Sequence, residues 1–274
     1  MDAAADRPIA SRMVIDRSSC HDPPMAWIID LDGVVWLGDT PIAGSAEAVL
    51  TLRAAGETIA FATNFSASPV AELHAKLARL GIDGCGDVVT SAMAVASLVE
   101  PGERVLVCAG PGVREALDER HADAVDHGPA DSVVVGYHPS FDYERMRVAA
   151  DAVRAGARLL ATNDDATYPS SGGLLPGTGA ILASIERASG AAAVVAGKPY
   201  RPMADLLADR YGQNGTLVGD RPDTDGRLAR VLGYRFALVL SGVTTSLEPP
   251  PDPVPDVVAA NLGELVAQEP PISR

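Results

Sequence analysis

Aromatic side chains are scarce, at 4 % of the 274 residues, with two tryptophans and four phenylalanines. A core with so few rings must be filled by Ala, Val and Leu, which suits strands buried on both faces between helices. Cysteine is nearly missing: Cys20, Cys85 and Cys108 are an odd number, widely spaced and without a C-x-x-C pair. That pattern gives no disulfide framework or zinc ribbon and fits a reducing cytoplasm. Positive charge is also short, with 22 Lys and Arg against 36 Asp and Glu, a formal charge of -14. Such a surface repels nucleic-acid phosphates and anionic lipid headgroups, so neither is an expected partner. A small phosphorylated metabolite stays within reach, because a metal ion or one lysine can reverse the potential inside a pocket. No apolar run approaches the roughly 18 residues of a membrane span. Residues 1–24 have no hydrophobic signal core ahead of a cleavage site.

What is present is an ordinary globular mix, 47 % hydrophobic and 21 % charged, in a chain whose length suggests about two domains. Residues 1–24 read as a mobile leader, with Met25 as an alternative start. Beyond them, short apolar runs at Trp27–Ile29, Thr58–Ala62, Arg104–Cys108, Ser132–Val135, Arg158–Ala161, Ala193–Ala196, Thr216–Val218 and Arg235–Leu240 read as strands. Helical spacing fills Ala43–Ala55, Pro69–Leu80, Tyr143–Arg154, Gly177–Ser189, Arg201–Tyr211 and Asp223–Leu232 between them. The alternation predicts an α/β protein of parallel units. Glu248–Pro255 is too proline-rich for a helix or central strand, and Asn261–Ala267 closes the chain.

Four segments at predicted strand ends could carry chemistry. Asp30-Leu31-Asp32-Gly33 follows the first strand, and residues two apart on an extended chain face the same way, so both carboxylates address one space. Crowded carboxylates need a cation or a shared proton; an acidic turn is the other reading of this segment. An EF-hand is excluded, because Val34 and Val35 stand where a ligand and a glycine are required. Thr63-Asn64 follows the second strand and leads through Ser66 and Ser68 into a helix, which can hold anionic oxygens or merely cap the helix. Gly197-Lys198-Pro199 places a lysine where Pro199 keeps it from a helix interior; it is either a fixed counter-charge or a solvated lysine. Gly219-Asp220-Arg221-Pro222-Asp223-Thr224-Asp225 gathers three aspartates in six residues. Without a hard cation such as Mg²⁺ they repel one another, though an acidic loop with a helix cap has the same composition.

Taken in order, these four segments resemble the phosphatases of the haloacid dehalogenase superfamily. Gly136-Tyr137, Thr162-Asn163-Asp164-Asp165 and Pro176-Gly177-Thr178-Gly179 extend the resemblance to its type IIA branch, which acts on nitrophenyl, phosphoglycolate, glycerol and pyridoxal phosphates. The resemblance runs from about Met25 to Leu265. It implies a Rossmann-like catalytic core with a parallel sheet, residues 25–100 and 192–274, and an inserted α/β cap of the C2 type at 101–191 that sets specificity. It also implies homodimerisation through the cap.

For the site, the resemblance implies a Mg²⁺-dependent phosphomonoesterase. Asp30 would be the nucleophile, forming an aspartyl-phosphate, and Asp32 the acid and then the base. Asp30, Asp220 and the Asp32 carbonyl would hold Mg²⁺, with Asp225 orienting that shell through waters. Thr63, Asn64 and Lys198 would hold the transferring oxygens. Tyr137, Asp165 and Tyr168 align with substrate-facing positions in the cap, although packing alone would also explain the two tyrosines. Phe65 departs from the family's Thr-Asn-Asn, which removes a side-chain hydrogen bond and leaves the backbone N–H groups to hold an anion. Gly110-Pro111-Gly112 reads as a turn, because a dinucleotide fingerprint would need a third glycine. His74 and His121 read as solvent-facing helix residues. Two other functions fit the same residues: a phosphotransferase or mutase using the same phospho-Asp, and a non-hydrolytic phospho-acceptor or binding protein. Asp32 argues for turnover.

Overall fold

The computed structural model describes residues 25–84, 86–170 and 173–269. The leader at 1–24, with Cys20, and Cys85 lie outside the described residues; Cys108 is free and buried. The described residues begin with β1 (Ala26–Ile29), the small antiparallel pair β2 (Trp36–Leu37) and β3 (Thr40–Pro41), and α1 (Ser45–Ala54). Next come β4 (Thr58–Thr63), α2 (Val70–Arg79), β5 (Asp87–Thr90) and α3 (Ser91–Ala96). A second run follows with β6 (Arg104–Cys108), α4 (Pro111–Glu119), β7 (Asp123–Val125), β8 (Ser132–Val135), α5 (Tyr143–Arg154) and β9 (Arg158–Ala161). The antiparallel hairpin β10 (Thr167–Ser170) and β11 (Gly173–Pro176) leads into α6 (Thr178–Ser189) and the two-residue β12 (Val194–Val195). The described residues end with α7 (Arg201–Tyr211), β13 (Gly215–Gly219), α8 (Arg227–Leu232), β14 (Arg235–Val239), β15 (Val257–Ala259) and α9 (Leu262–Gln268).

Two parallel sheets result. The first has six strands in the order β15-β14-β13-β1-β4-β5, and the second has five in the order β12-β9-β8-β6-β7. The inner strands β1 and β8 are buried along their whole length, as expected of sheets covered on both faces. One apolar cluster covers a face of the first sheet and runs through α3 and α7 to Val105, Val134 and Leu160 of the second. The other face of the first sheet packs on α1, α2 and α9 through Val49, Leu77 and Leu265. The outer face of the second sheet packs on α5 and α6 through Ala149, Val153 and Ile185. Local sequence supports these helices: the Asp142 side chain accepts the Arg145 N–H at 2.8 Å to start α5, and Gly190, at φ 80°, ends α6.

Several elements differ from the sequence reading. Gly110-Pro111-Gly112 is not a free turn: Gly110 caps α4 and Pro111 is its first residue, where a missing N–H costs nothing. A Cβ on Gly112 would run into the Ser68 and Ser66 carbonyls, so the glycine permits close approach of α4 to the 66–68 loop. His121 follows α4 in the left-handed region, at φ 59°, rather than riding on the helix. The helix expected over Asp223–Leu232 divides into a wide π-helical turn, Pro222–Gly226, and α8. Strands β5, β7 and β15 were too short or too polar to announce themselves. The stretch 101–191 holds four strands of the second sheet, while β12 lies beyond it. Among the described residues, no helix is long and apolar enough to cross a membrane.

Candidate active site

Three neighbouring strands of the first sheet end at one level. Ile29 pairs with Val218 on one side and Phe61 on the other, so Asp30, Asp220 and Thr63 leave the sheet along the same carboxyl edge. Ligands of open α/β sheets bind at such an edge. The π-helical turn after β13 brings Asp225 back to this edge, where its Oδ2 accepts the Arg221 N–H at 3.1 Å. Gly219 makes room for it, since a Cβ there would run into the Asp225 carboxylate. Lys198 enters after β12, and its buried Nζ donates to Asp30 Oδ1 at 2.6 Å, Asp225 Oδ1 at 2.7 Å and the Ala62 carbonyl at 3.0 Å. All three ammonium protons are thereby used.

Oxygens of Asp30, Asp220 and Asp225, all buried, lie within 4.8 Å of one another. Burial pushes the Asp30 carboxyl well above the usual carboxylate range against the pull of Lys198, and Asp225 and Asp220 push it further. Burial and then the Asp225 charge raise Asp220 to about 7. Burial also opposes the charge of Lys198, but Asp225 and Asp30 outweigh it and hold its pKa above the ordinary lysine value. One ammonium facing three carboxylates leaves two units of negative charge unbalanced when all are ionised. Asp220 Oδ2 accepts the Val243 N–H at 2.5 Å, while its buried Oδ1 has no hydrogen-bond partner. An orphaned buried carboxylate oxygen among other hard oxygen donors, in a site short of two positive charges, fits a divalent cation such as Mg²⁺. Gly33 and Gly242 flank Asp220, and a Cβ on either would collide with its carboxylate.

The remaining predicted residues meet around one cleft, which holds about 620 Å³ of empty space continuous with solvent. Asp32 lines it, but its carboxylate is not one of the three clustered ones: Oδ1 accepts the Trp36 Nε1–H at 3.0 Å. Burial raises the Asp32 pKa, and Lys76, Trp36 and Lys198 oppose the rise. Thr63 is buried with its Oγ1 accepting the Phe65 N–H at 3.0 Å. The Phe65 N–H is therefore used within its own loop. Asn64 is tied at both ends: its Oδ1 accepts the Lys198 N–H at 2.7 Å, and its Nδ2 donates to Asp165 Oδ2 at 2.9 Å and the Lys198 carbonyl at 3.1 Å. Asp165 also pairs with Arg221 at 3.3 Å. Burial raises the Asp165 pKa against Arg221 and Asn64. Its neighbour Asp164 is exposed and accepts the Tyr200 hydroxyl at 2.5 Å.

Tyr137 and Tyr168 close one side of the cleft with Phe65. The ring centroids are 5.2 Å apart for the two tyrosines, 5.4 Å for Phe65 and Tyr168, and 6.3 Å for Phe65 and Tyr137. Burial, followed by the Asp32 charge, holds the Tyr168 phenol above its ordinary pKa.

Other residues of the site had no role in the sequence reading. Arg221, beside Asp220, is an ion-pair partner of Asp165 and Asp223, at 3.3 and 3.1 Å. Ser91 Oγ and Asn163 Nδ2 donate to the Asn64 carbonyl at 2.6 and 2.8 Å. Its place inside the segment Gly219–Asp225 could have singled out Arg221. Gly242 and Val243 carry no local signal, because only the path of the loop after β14 brings them to Asp220.

Comparison with known proteins identifies the family. Residues 27–123 match the family model described as haloacid dehalogenase-like hydrolase, and residues 195–265 match a second described as HAD-hydrolase-like. The acid sugar phosphatase of Staphylococcus saprophyticus is 34 % identical over 251 residues, 89 % of this chain and 97 % of that protein. The 4-nitrophenylphosphatase structure from Thermotoga maritima superposes with a TM-score of 0.82 and 30 % identity, covering 89 % of this chain and 97 % of that one. The glycerol phosphate phosphatase of Mycobacterium tuberculosis, solved in complex with magnesium, gives a TM-score of 0.80 and 32 % identity over 88 % of this chain and 76 % of that one.

Proposed function

Because the chain belongs to the haloacid dehalogenase-like hydrolases, we propose that it is a Mg²⁺-dependent phosphatase of small phosphorylated metabolites working through an aspartyl-phosphate on Asp30. The carrying observation is the buried set of Asp30, Asp220, Asp225 and Lys198 at one strand edge, with Asp220 Oδ1 left without a partner. Asp30, Asp220 and the Asp32 carbonyl would hold Mg²⁺, with Asp225 orienting that shell, and the ion when bound would neutralise charge on the transferring phosphoryl oxygens. Thr63 and Asn64 border the transfer site, and Lys198 supplies a fixed positive charge beside the nucleophile.

Asp30 attacks phosphorus as the bond to the leaving oxygen breaks, and Asp32 gives that oxygen its proton. Water then attacks the aspartyl-phosphate, Asp32 takes the water's proton, and the bond to Asp30 breaks to release inorganic phosphate. The raised pKa of Asp32 supports its first role, since a leaving-group acid must keep its proton until it is needed. Tyr137, Tyr168 and Asp165 line the cleft, and on this reading they meet the leaving group. The relatives named for sugar and glycerol phosphates support small phosphorylated polyols as the substrate class. The cysteine pattern supports a cytoplasmic site of action. Pairing through residues 101–191 completes this reading, and a monomeric mass in light scattering at micromolar concentration removes that part.

The deciding experiment measures inorganic phosphate release from nitrophenyl, pyridoxal, glycerol and glycolate phosphates, with Mg²⁺ or EDTA, for the wild-type chain and Asp30→Asn. Turnover that needs both Mg²⁺ and Asp30 is expected, with a loss of about 10⁴-fold or more in the variant. Transfer of phosphate to an added alcohol without release to water would replace hydrolysis by phosphotransfer. Silence of the folded chain on every ester would overturn the reading.

A further inference from the structure

Trp36 stands four residues beyond Asp32, fully buried, in a turn pinned by its own backbone. The Gly33 N–H donates to the Trp36 carbonyl at 2.6 Å, and the N–H groups of Val35 and Trp36 converge on the Leu31 carbonyl at 2.9 and 3.2 Å. Its indole Nε1–H donates to Asp32 Oδ1 at 3.0 Å. Lys76, from α2, holds the ring from elsewhere: its Nζ lies 4.1 Å from the ring centroid and donates to the Gly38 carbonyl at 2.7 Å. A cation over the indole face and a carboxylate at its N–H edge fix the ring at both poles.

An indole N–H can only donate. Asp32 Oδ1 therefore faces a donor whether or not the carboxyl is protonated, and a proton on Oδ1 would point against the Trp36 N–H. We propose that Trp36 is a positioning residue that reserves Asp32 Oδ1 as an acceptor and leaves Oδ2 as the oxygen that moves the proton. This rests on the phosphatase reading above. In the first half-reaction the Oδ2 proton goes to the leaving oxygen as the phosphorus–oxygen bond breaks. In the second, Oδ2 takes a proton from water as water bonds to phosphorus and Asp30 departs as a carboxylate.

The leaving group separates this role from simple packing. A departing alkoxide needs the proton from Asp32, whereas nitrophenolate is stable enough to leave without it. The test compares kcat/KM, which reports the first half-reaction, for glycerol phosphate and nitrophenyl phosphate at saturating Mg²⁺. It uses the full chain with Trp36→Phe and with Trp36→benzothienylalanine, which keeps the bicyclic shape but replaces the N–H by sulfur, so that packing survives in at least one variant. We expect kcat/KM for glycerol phosphate to fall about 10- to 100-fold while that for nitrophenyl phosphate changes by less than about threefold. Equal losses on both esters in the benzothienyl variant, or no loss on either, would overturn the inference. If the wild-type chain releases phosphate from no ester of the panel, the phosphatase reading fails and this inference with it; a working enzyme with an unchanged ratio refutes the role of Trp36 alone.

Discussion

The carboxyl edge of the first sheet and the loops of the second meet in one cleft, and they are built differently. On the first, Asp30, Asp220 and Asp225 are buried within a few ångströms of one another, and Lys198 is held by three acceptors. On the second, Tyr137 and Tyr168 present half-buried rings whose partners are one another and Phe65. One side fixes its geometry by charge and hydrogen bonds in a low-dielectric setting, where a misplaced group costs several kcal/mol. The other fixes it by ring packing, which tolerates substitution at a cost of about 1 kcal/mol per pair. On the proposed reading, chemistry falls to the first kind of surface and discrimination between leaving groups to the second. Asn64, Asp165 and Arg221 tie the two together, since Asp165 lies on the second-sheet side and both of its partners on the first.

The sharpest way to break this contrast is Lys198→Met. It removes the single ammonium facing three buried carboxylates, and phosphate release should fall about 10³-fold. The Mg²⁺-free protein should lose about 3 kcal/mol of stability because the carboxylates are left uncompensated. Activity within tenfold of wild type would show that the charge cluster is not what organises the site.

A middle-sized effect should appear in the pH dependence of stability without Mg²⁺. The Asp220 pKa is raised in the folded chain to about 7 from an ordinary value of 3.8. Between those values the folded form binds the extra proton, so stability is highest at the acid end and declines as pH rises toward 7. The raised pKa of Asp30 has the same sign. Urea midpoints should therefore fall from about pH 5 to pH 7 in EDTA and flatten in millimolar Mg²⁺, which binds the ionised form. Midpoints that rise with pH in EDTA would contradict the burial of these carboxylates.

The smallest effect should come from Tyr168→Ala. Relative kcat/KM across the ester panel should shift by about tenfold, with little change in thermal midpoint and none in the Mg²⁺ concentration needed for half-activity. A changed Mg²⁺ requirement would mean that the two surfaces are not separable as drawn.

Much of this was legible along the chain because its signals are local. A strand that ends in Asp-x-Asp-Gly, or in three aspartates within six residues, announces crowded carboxylates without any knowledge of the fold. Other elements hid for equally local reasons. Asp87–Thr90 and Asp123–Val125 are too short to show a period, and Pro111 looked like a break although it begins a helix. The same alternation of strand and helix serves both sheets, so nothing in Ala193–Ala196 tells that β12 pairs with β9 of the second sheet before the chain delivers Lys198 to the first.

The sequence by itself determined the parallel α/β class, the identity of the acidic and basic groups, and the order in which strands deliver them, because strand periodicity and charge crowding are properties of neighbouring residues. Only the tertiary structure decided that Asp225 joins Asp30 and Asp220 while the Asp32 carboxylate turns to Trp36, that Asn64 holds Lys198 and Asp165, and that Gly33 and Gly242 make room for Asp220. Contacts such as those across 101 residues between Asn64 and Asp165 or 168 between Asp30 and Lys198 depend on strand register and loop path. No short window of sequence encodes those distances, because each is set by the packing of the whole sheet.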